Sequence, residues 1–249
     1  MPSPAPGSHP SCRYPGPMPS EPVAATAVAP VAGPVEVPKP LLRGWLHLIC
    51  FFLAIPAAVI LVTVAPSTHG RVGASVYAVG LVALFGVSGS YHRGRWSDAR
   101  RRLMQKLDHG TIFVMIAGSY TPLCLLALEG WVRWTMLAVA WVGAAAGFVL
   151  SFTGGKVSRI AKGTLYIALG WASVLAAPQL WRNLSVAELA LIAVGGVLYT
   201  VGSVFLLTRW PDPFPRVFGY HEVWHVMVVV AVACHFAAIT SVVAGPAAV

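Results

Sequence analysis

Residues 45–65 read WLHLICFFLAIPAAVILVTVA, twenty-one positions without a charged side chain. An α-helix rises 1.5 Å per residue, so about twenty apolar residues cover the hydrocarbon core of a bilayer. A run of this length and uniformity specifies a membrane-spanning helix. Six further stretches downstream approach the same length, near 72–91, 108–128, 133–152, 163–181, 187–208 and 221–243. The expected fold class is therefore all-α, a seven-transmembrane helix bundle over residues 41–249.

Composition agrees. The chain is 57% hydrophobic and 10% charged, far below the charge of a soluble domain, with a mean hydropathy of +0.73. The net charge of +9 does not indicate nucleic acid, because the basic residues fall between apolar runs and build no polar face. Cys12, Cys50, Cys124 and Cys234 are scattered and form no C-x-x-C pair, which argues against a disulfide framework and a thiolate metal site. Residues 1–40 are rich in Pro, Ala, Gly and Ser and are expected to form a disordered tail. They lack the basic and apolar regions of a signal peptide.

Lys and Arg fix the expected orientation. Alternate connections, counted with the tail, hold fourteen of them on one side, and only Arg71, Arg133 and Arg182 on the other. The positive-inside rule then makes the N-terminus cytoplasmic and puts the C-terminus outside, in the cell (plasma or inner) membrane. Arg100-Arg101-Arg102, in the second connection, is expected to rest against anionic lipid. Trp45, Trp131, Trp134, Trp181 and Trp210 fall near span ends, as an aromatic belt requires. Gly143 and Gly147 suit close helix packing within the bundle.

The last span opens with His221-Glu222-Val223-Trp224-His225. Histidines at i and i+4 share a helix face, so both rings can reach one metal ion. On the same cytoplasmic edge the second span ends in Ser88-Gly89-Ser90-Tyr91-His92, and the third begins with Asp108-His109. Topology alone thus brings Ser88, His92, Asp108, His221 and His225 to one depth. His92, His221 and His225 supply the three imidazoles of a catalytic zinc site. Asp108 is the candidate to hold a water or take its proton, and Ser88, one turn before His92, is the candidate donor to an oxyanion. The pattern H-E-x-x-H also belongs to zinc proteases, with the Glu as base. Here Glu222 points about 100° from His221 on the helix, so it is read as a bystander. His109 and His235 are read as helix-to-helix hydrogen bonders, and His47 and His69 as interfacial.

Three blocks, taken in order, resemble the signatures of the bacterial hemolysin III proteins. They are Ser88-Gly89-Ser90-Tyr91-His92, then Leu107-Asp108-His109 with Ile116-Ala117-Gly118-Ser119-Tyr120-Thr121-Pro122, and Gly219-Tyr220-His221-Glu222-Val223-Trp224-His225. These proteins belong to the progestin and adipoQ receptor family, within a wider group that includes the alkaline ceramidases. The resemblance runs from Arg43 to the last span, and the proline-rich tail matches no block. It implies a seven-helix bundle with zinc near the cytoplasmic face, held by residues corresponding to His92, His221 and His225, with Asp108 and Ser88 beside it. It also implies a possible amide hydrolase acting on ceramide-like lipids.

The leading expectation is a zinc-dependent hydrolase of lipid amides whose substrate enters from the bilayer. Membrane lipids are its expected partners, with no nucleic acid and no evident protein partner. A structural zinc in a non-enzymatic, lipid-sensing membrane protein is the alternative. An intramembrane metalloprotease rests on the H-E-x-x-H pattern alone. A secreted cytolysin lacks the amphipathic segments it would need.

Overall fold

Apolar runs bounded by Gly, Pro and charged residues fold as the helices their length demands. The structure, a computed structural model, describes residues 1–3, 16, 39–153 and 155–245, with the side chains of 155–159 left aside. The described residues from 39 onward form one compact unit. The tail expected over 1–40 lies outside the described residues except for 1–3, 16, 39 and 40.

The helices are α1 (Trp45–Thr63), α2 (Thr68–Arg93), α3 (Asp98–Ala127), α4 (Gly130–Ser151), α5 (Gly155–Trp171), α6 (Ala177–Asn183), α7 (Val186–Thr208) and α8 (Tyr220–Ala244). Among the described residues, seven segments are long and apolar enough to cross a membrane. The fifth, Ile160–Asn183, is composite: α5 passes through a 3₁₀ turn, Ala172–Ala176, into α6. Pro178 explains the break, because it lacks an N–H and starts α6 near its N-terminus. A side chain of α3 satisfies a backbone carbonyl just before the break, and one of α6 satisfies the end of α3. The Tyr120 hydroxyl donates to the Leu169 carbonyl at 2.7 Å, and Asn183 Nδ2 donates to the Ala127 carbonyl at 2.9 Å.

One boundary departs from the sequence expectation. The third span begins at Asp98, ten residues before Asp108, and only Gly94–Ser97 connect it to α2. Arg100, Arg101 and Arg102 are thus helical rather than part of a loop. The apolar run ends near Asp108, but Ala, Arg, Leu, Met, Gln and Lys before it are all good helix formers, so the helix continues by about 15 Å.

α2 and α3 are the most enclosed helices, and α1, α4 and α8 pack around them, with α8 touching α1, α2 and α3. Tyr77, Leu81, Leu84 and Phe85 of α2 meet Leu61 of α1, Met115 of α3 and Val228, Val232 and Ile239 of α8 in the main core. With lipid as solvent, such contacts are held by van der Waals packing and not by expulsion of water. Small residues permit the close approaches. Gly147 of α4 receives the Phe113 ring of α3 and Gly143 receives Leu169 of α5, so the pair serves two neighbours within the bundle.

A Cβ at Gly147 would lie 2.3 Å from the Phe113 ring, whereas one at Gly163 would meet nothing within 4 Å. Gly147→Ala is expected to destabilise the protein by about 2 kcal/mol, and Gly163→Ala to be neutral or slightly stabilising. Thermal unfolding in detergent checks this: equal midpoints for the two variants would contradict the packing described.

Candidate metal centre

The site is built by the starts of α1 and α8, the end of α2 and the stretch about three turns into α3. His92 lies in the last turn of α2, and His221 and His225 in the first two turns of α8. Their ligand nitrogens all lie within 4.8 Å of one another. Nε2 of His92 and Nε2 of His221 are 3.3 Å apart. The rings meet edge to face, with centroids 4.9 Å apart for His92–His221, 5.1 Å for His92–His225 and 4.6 Å for His221–His225. A tetrahedral zinc with Zn–N bonds of 2.0–2.1 Å sets its nitrogens about 3.3–3.4 Å apart. The closest pair already has that spacing, and the third ring nitrogen lies within 4.8 Å of both. The donor set therefore fits a divalent ion of the zinc type.

Ser88, buried one turn before His92, stands beside the Asp108 carboxyl. Asp108 opens with His92 and His221 into a cleft of about 130 Å³, which His109 also borders. The other walls of the cleft are Lys39, Arg43, Tyr91, Arg101 and Gln105. Lys39 is pushed below its ordinary pKa, first by burial and then by the positive charges of Arg101 and Arg43.

Glu222 has a defined structural role. Buried at the start of α8, it accepts the Gly219 N–H at 2.9 Å through Oε2 and pairs through Oε1 with Arg43 Nε. It completes the first turn of α8 and ties that turn to the segment before α1. The same segment donates from Leu41 N to Arg216 O and from Leu42 N to Val217 O, at 3.0 and 3.1 Å. With both carboxylate oxygens engaged, Glu222 is held away from the role a protease base would play.

The sequence reading missed His47. Its ring is buried in α1 and stacks on His225, with centroids 3.8 Å apart and planes within 10°. Neither ring nitrogen has a hydrogen-bond partner among the described residues. His47 lies at the start of the first span, at the depth of His225 in the last, and nothing in its local sequence marks it as buried. Gly44, with φ of 79°, brings the start of α1 against His92, where a Cβ would come within 2.4 Å of the His92 Cβ. Only glycine suits both that conformation and that approach. At His109 the interhelical bond is made by the carbonyl, which accepts from the Tyr166 hydroxyl at 2.8 Å. His235 Nε2 lies 3.2 Å from the Ile192 carbonyl of α7.

Comparison with known proteins adds to this geometry. A family profile described as haemolysin-III related matches residues 35–236. Hemolysin-3 of Bacillus cereus is 35% identical over 189 residues, covering 73% of this chain and 81% of its own length. The Hemolysin-3 homolog of Bacillus subtilis is 30% identical over 185 residues, 73% of this chain and 84% of its own. The human monocyte to macrophage differentiation factor is 29% identical over 195 residues, 76% of this chain and 79% of its own.

Glu222→Gln removes a charge from a partly buried ion pair and leaves Arg43 uncompensated. It is expected to cost about 2 kcal/mol, and Arg43→Gln combined with Glu222→Gln to cost less than the two single changes added together. Thermal melts in detergent measure both effects; a Glu222→Gln protein that melts with the wild type would contradict the role assigned to the pair.

Proposed function

The chain belongs to the haemolysin-III-related family of multi-pass membrane proteins, and on that premise we propose that it is a zinc-dependent hydrolase of ceramide-like lipid amides. The carrying observation is the convergence of His92, His221 and His225, with Asp108 and Ser88 beside them, at the mouth of a cleft. His92 and His221 line that cleft, so the centre has an accessible side, as a catalytic site requires and a structural staple does not.

His92, His221 and His225 would hold the ion. Three neutral imidazoles leave its charge uncompensated, and the ion would supply Lewis acidity toward a carbonyl and toward water. The protein's residues supply positioning and proton handling. Asp108 offers a carboxylate oxygen to hold a water or receive its proton, and later to return that proton to the departing amine. Ser88 fixes the carboxyl from below and keeps it facing the cleft. His47, stacked on His225, restricts that ring's rotation. A centre at the end of the bundle, beside the membrane edge, suits an amphiphile whose chains stay in the bilayer while its polar part reaches the histidines.

The charge asymmetry supports a cytoplasmic location for this end of the bundle. Arg43, Arg93 and Arg101 stand there, while Arg71, Arg133 and Arg182 of the opposite end bond local carbonyls at 2.7–3.1 Å.

Purified protein is expected to carry about one zinc per chain. His92→Ala should lose most of it, because His92 is distant in sequence from the pair on α8, while Glu222→Gln should keep it. The zinc-loaded protein should release fatty acid from a ceramide in mixed micelles, and Asp108→Asn should abolish release while retaining the metal. Metal bound without turnover on any lipid amide would overturn the hydrolase reading.

A further inference from the structure

The cleft beside the histidines is lined by more positive charge than the fold consumes. Lys39 and Arg43 reach it from the segment before α1, and Arg101 from the water-exposed extension of α3. Arg43 is matched by Glu222, which engages its Nε. Arg101 has a polar neighbour in the Tyr91 side chain, and the remaining acid of the cleft is Asp108. Lys39 and Arg101 therefore face one carboxylate, which leaves the cleft net positive before any divalent ion is added. Burial first, and then the positive charges of Arg101 and Arg43, push Lys39 below its ordinary pKa.

The helical extension selects which arginine takes part. Arg101, Gln105, Asp108 and His109 stand at i, i+4, i+7 and i+8, one face of α3, and all four border the cleft. Arg100 and Arg102 are rotated by about 100° to either side and are exposed away from it. A stripe that only follows the positive-inside rule has no reason to pair one arginine of three with Lys39 above a metal-binding centre.

We propose that Lys39 and Arg101, with Arg43, form a subsite for a phosphate-type oxyanion, so that an amphiphile bearing an anionic group is held at the histidines more tightly than its neutral counterpart. The proposal deepens the reading of the three-histidine centre as a lipid site and rests on it. Arg101 presents a planar fork suited to paired oxyanion oxygens, and Lys39 a point charge on a flexible stem. The neutral Tyr91 and Gln105 add hydrogen-bonding capacity without cancelling charge. Such a subsite would hold the headgroup at the mouth and leave the chains to the bilayer.

The test is equilibrium binding to the full chain in a neutral detergent, with and without zinc. The probes are dioctanoyl phosphatidic acid, dioctanoylglycerol and inorganic phosphate. Phosphatidic acid is expected to bind at least about tenfold tighter than the neutral diacylglycerol. Lys39→Gln with Arg101→Gln should erase that preference. Arg100→Gln with Arg102→Gln removes the same charge from the same region and should change it less than about twofold. Inorganic phosphate that binds with the same dependence on Lys39 and Arg101 supports the oxyanion site with a soluble source; phosphatidic acid binding alone supports it with a lipid source. Equal losses in the two double variants, or no preference for phosphatidic acid, would overturn the proposal. Because no turnover is measured, a protein that binds the anion but hydrolyses nothing upholds this subsite while the hydrolase reading fails.

Discussion

A hydrogen-bonding or charged side chain buried inside a membrane bundle must find its partners within the protein, because lipid hydrocarbon offers none. In this chain that requirement draws the starts of α1 and α8 and the end of α2 against α3. Three imidazoles face one another, the Ser88 hydroxyl meets the Asp108 carboxyl, and Glu222 is shared between the first turn of α8 and Arg43. Most of the helix length downstream is apolar packing that allows these ends to meet. The ion pair joins residues 179 positions apart and brings the segment before α1 to the start of α8. The same approach sets Gly44 against His92 and His47 against His225.

The same constraint separates the two readings of the H-E-x-x-H pattern. In a soluble protease the Glu is free to act as base. Here its two oxygens are committed, one to a backbone N–H and one to a guanidinium, and it is buried. The acid that opens onto the cleft is Asp108, from a different helix. One short motif therefore contributes two ring nitrogens and one structural carboxylate.

Much of this could be read from the sequence because a bilayer makes hydropathy a direct measure of span length. Each of the seven apolar runs from residue 45 onward corresponds to a spanning segment, and polar residues at matching ends of those runs meet in space. What could not be read follows from the limits of that measure. Hydropathy ends the third run near Asp108, but helix propensity continues to Asp98, and the position of Arg101 depends on that continuation. A lone histidine at the start of an apolar run looks interfacial, and only the packing of α1 against α8 buries His47. The Arg43–Glu222 pair leaves no local pattern at all. The break between α5 and α6 had its signal in Pro178, although not its 3₁₀ form.

The central claim is that one divalent ion sits among three imidazoles from two helices. Zinc K-edge X-ray absorption of the purified protein tests it most directly. The account predicts nitrogen and oxygen scatterers at about 2.0–2.1 Å, with the outer-shell scattering of three imidazole rings and no sulfur at about 2.3 Å. A sulfur shell, or fewer than two imidazoles per zinc, would contradict it.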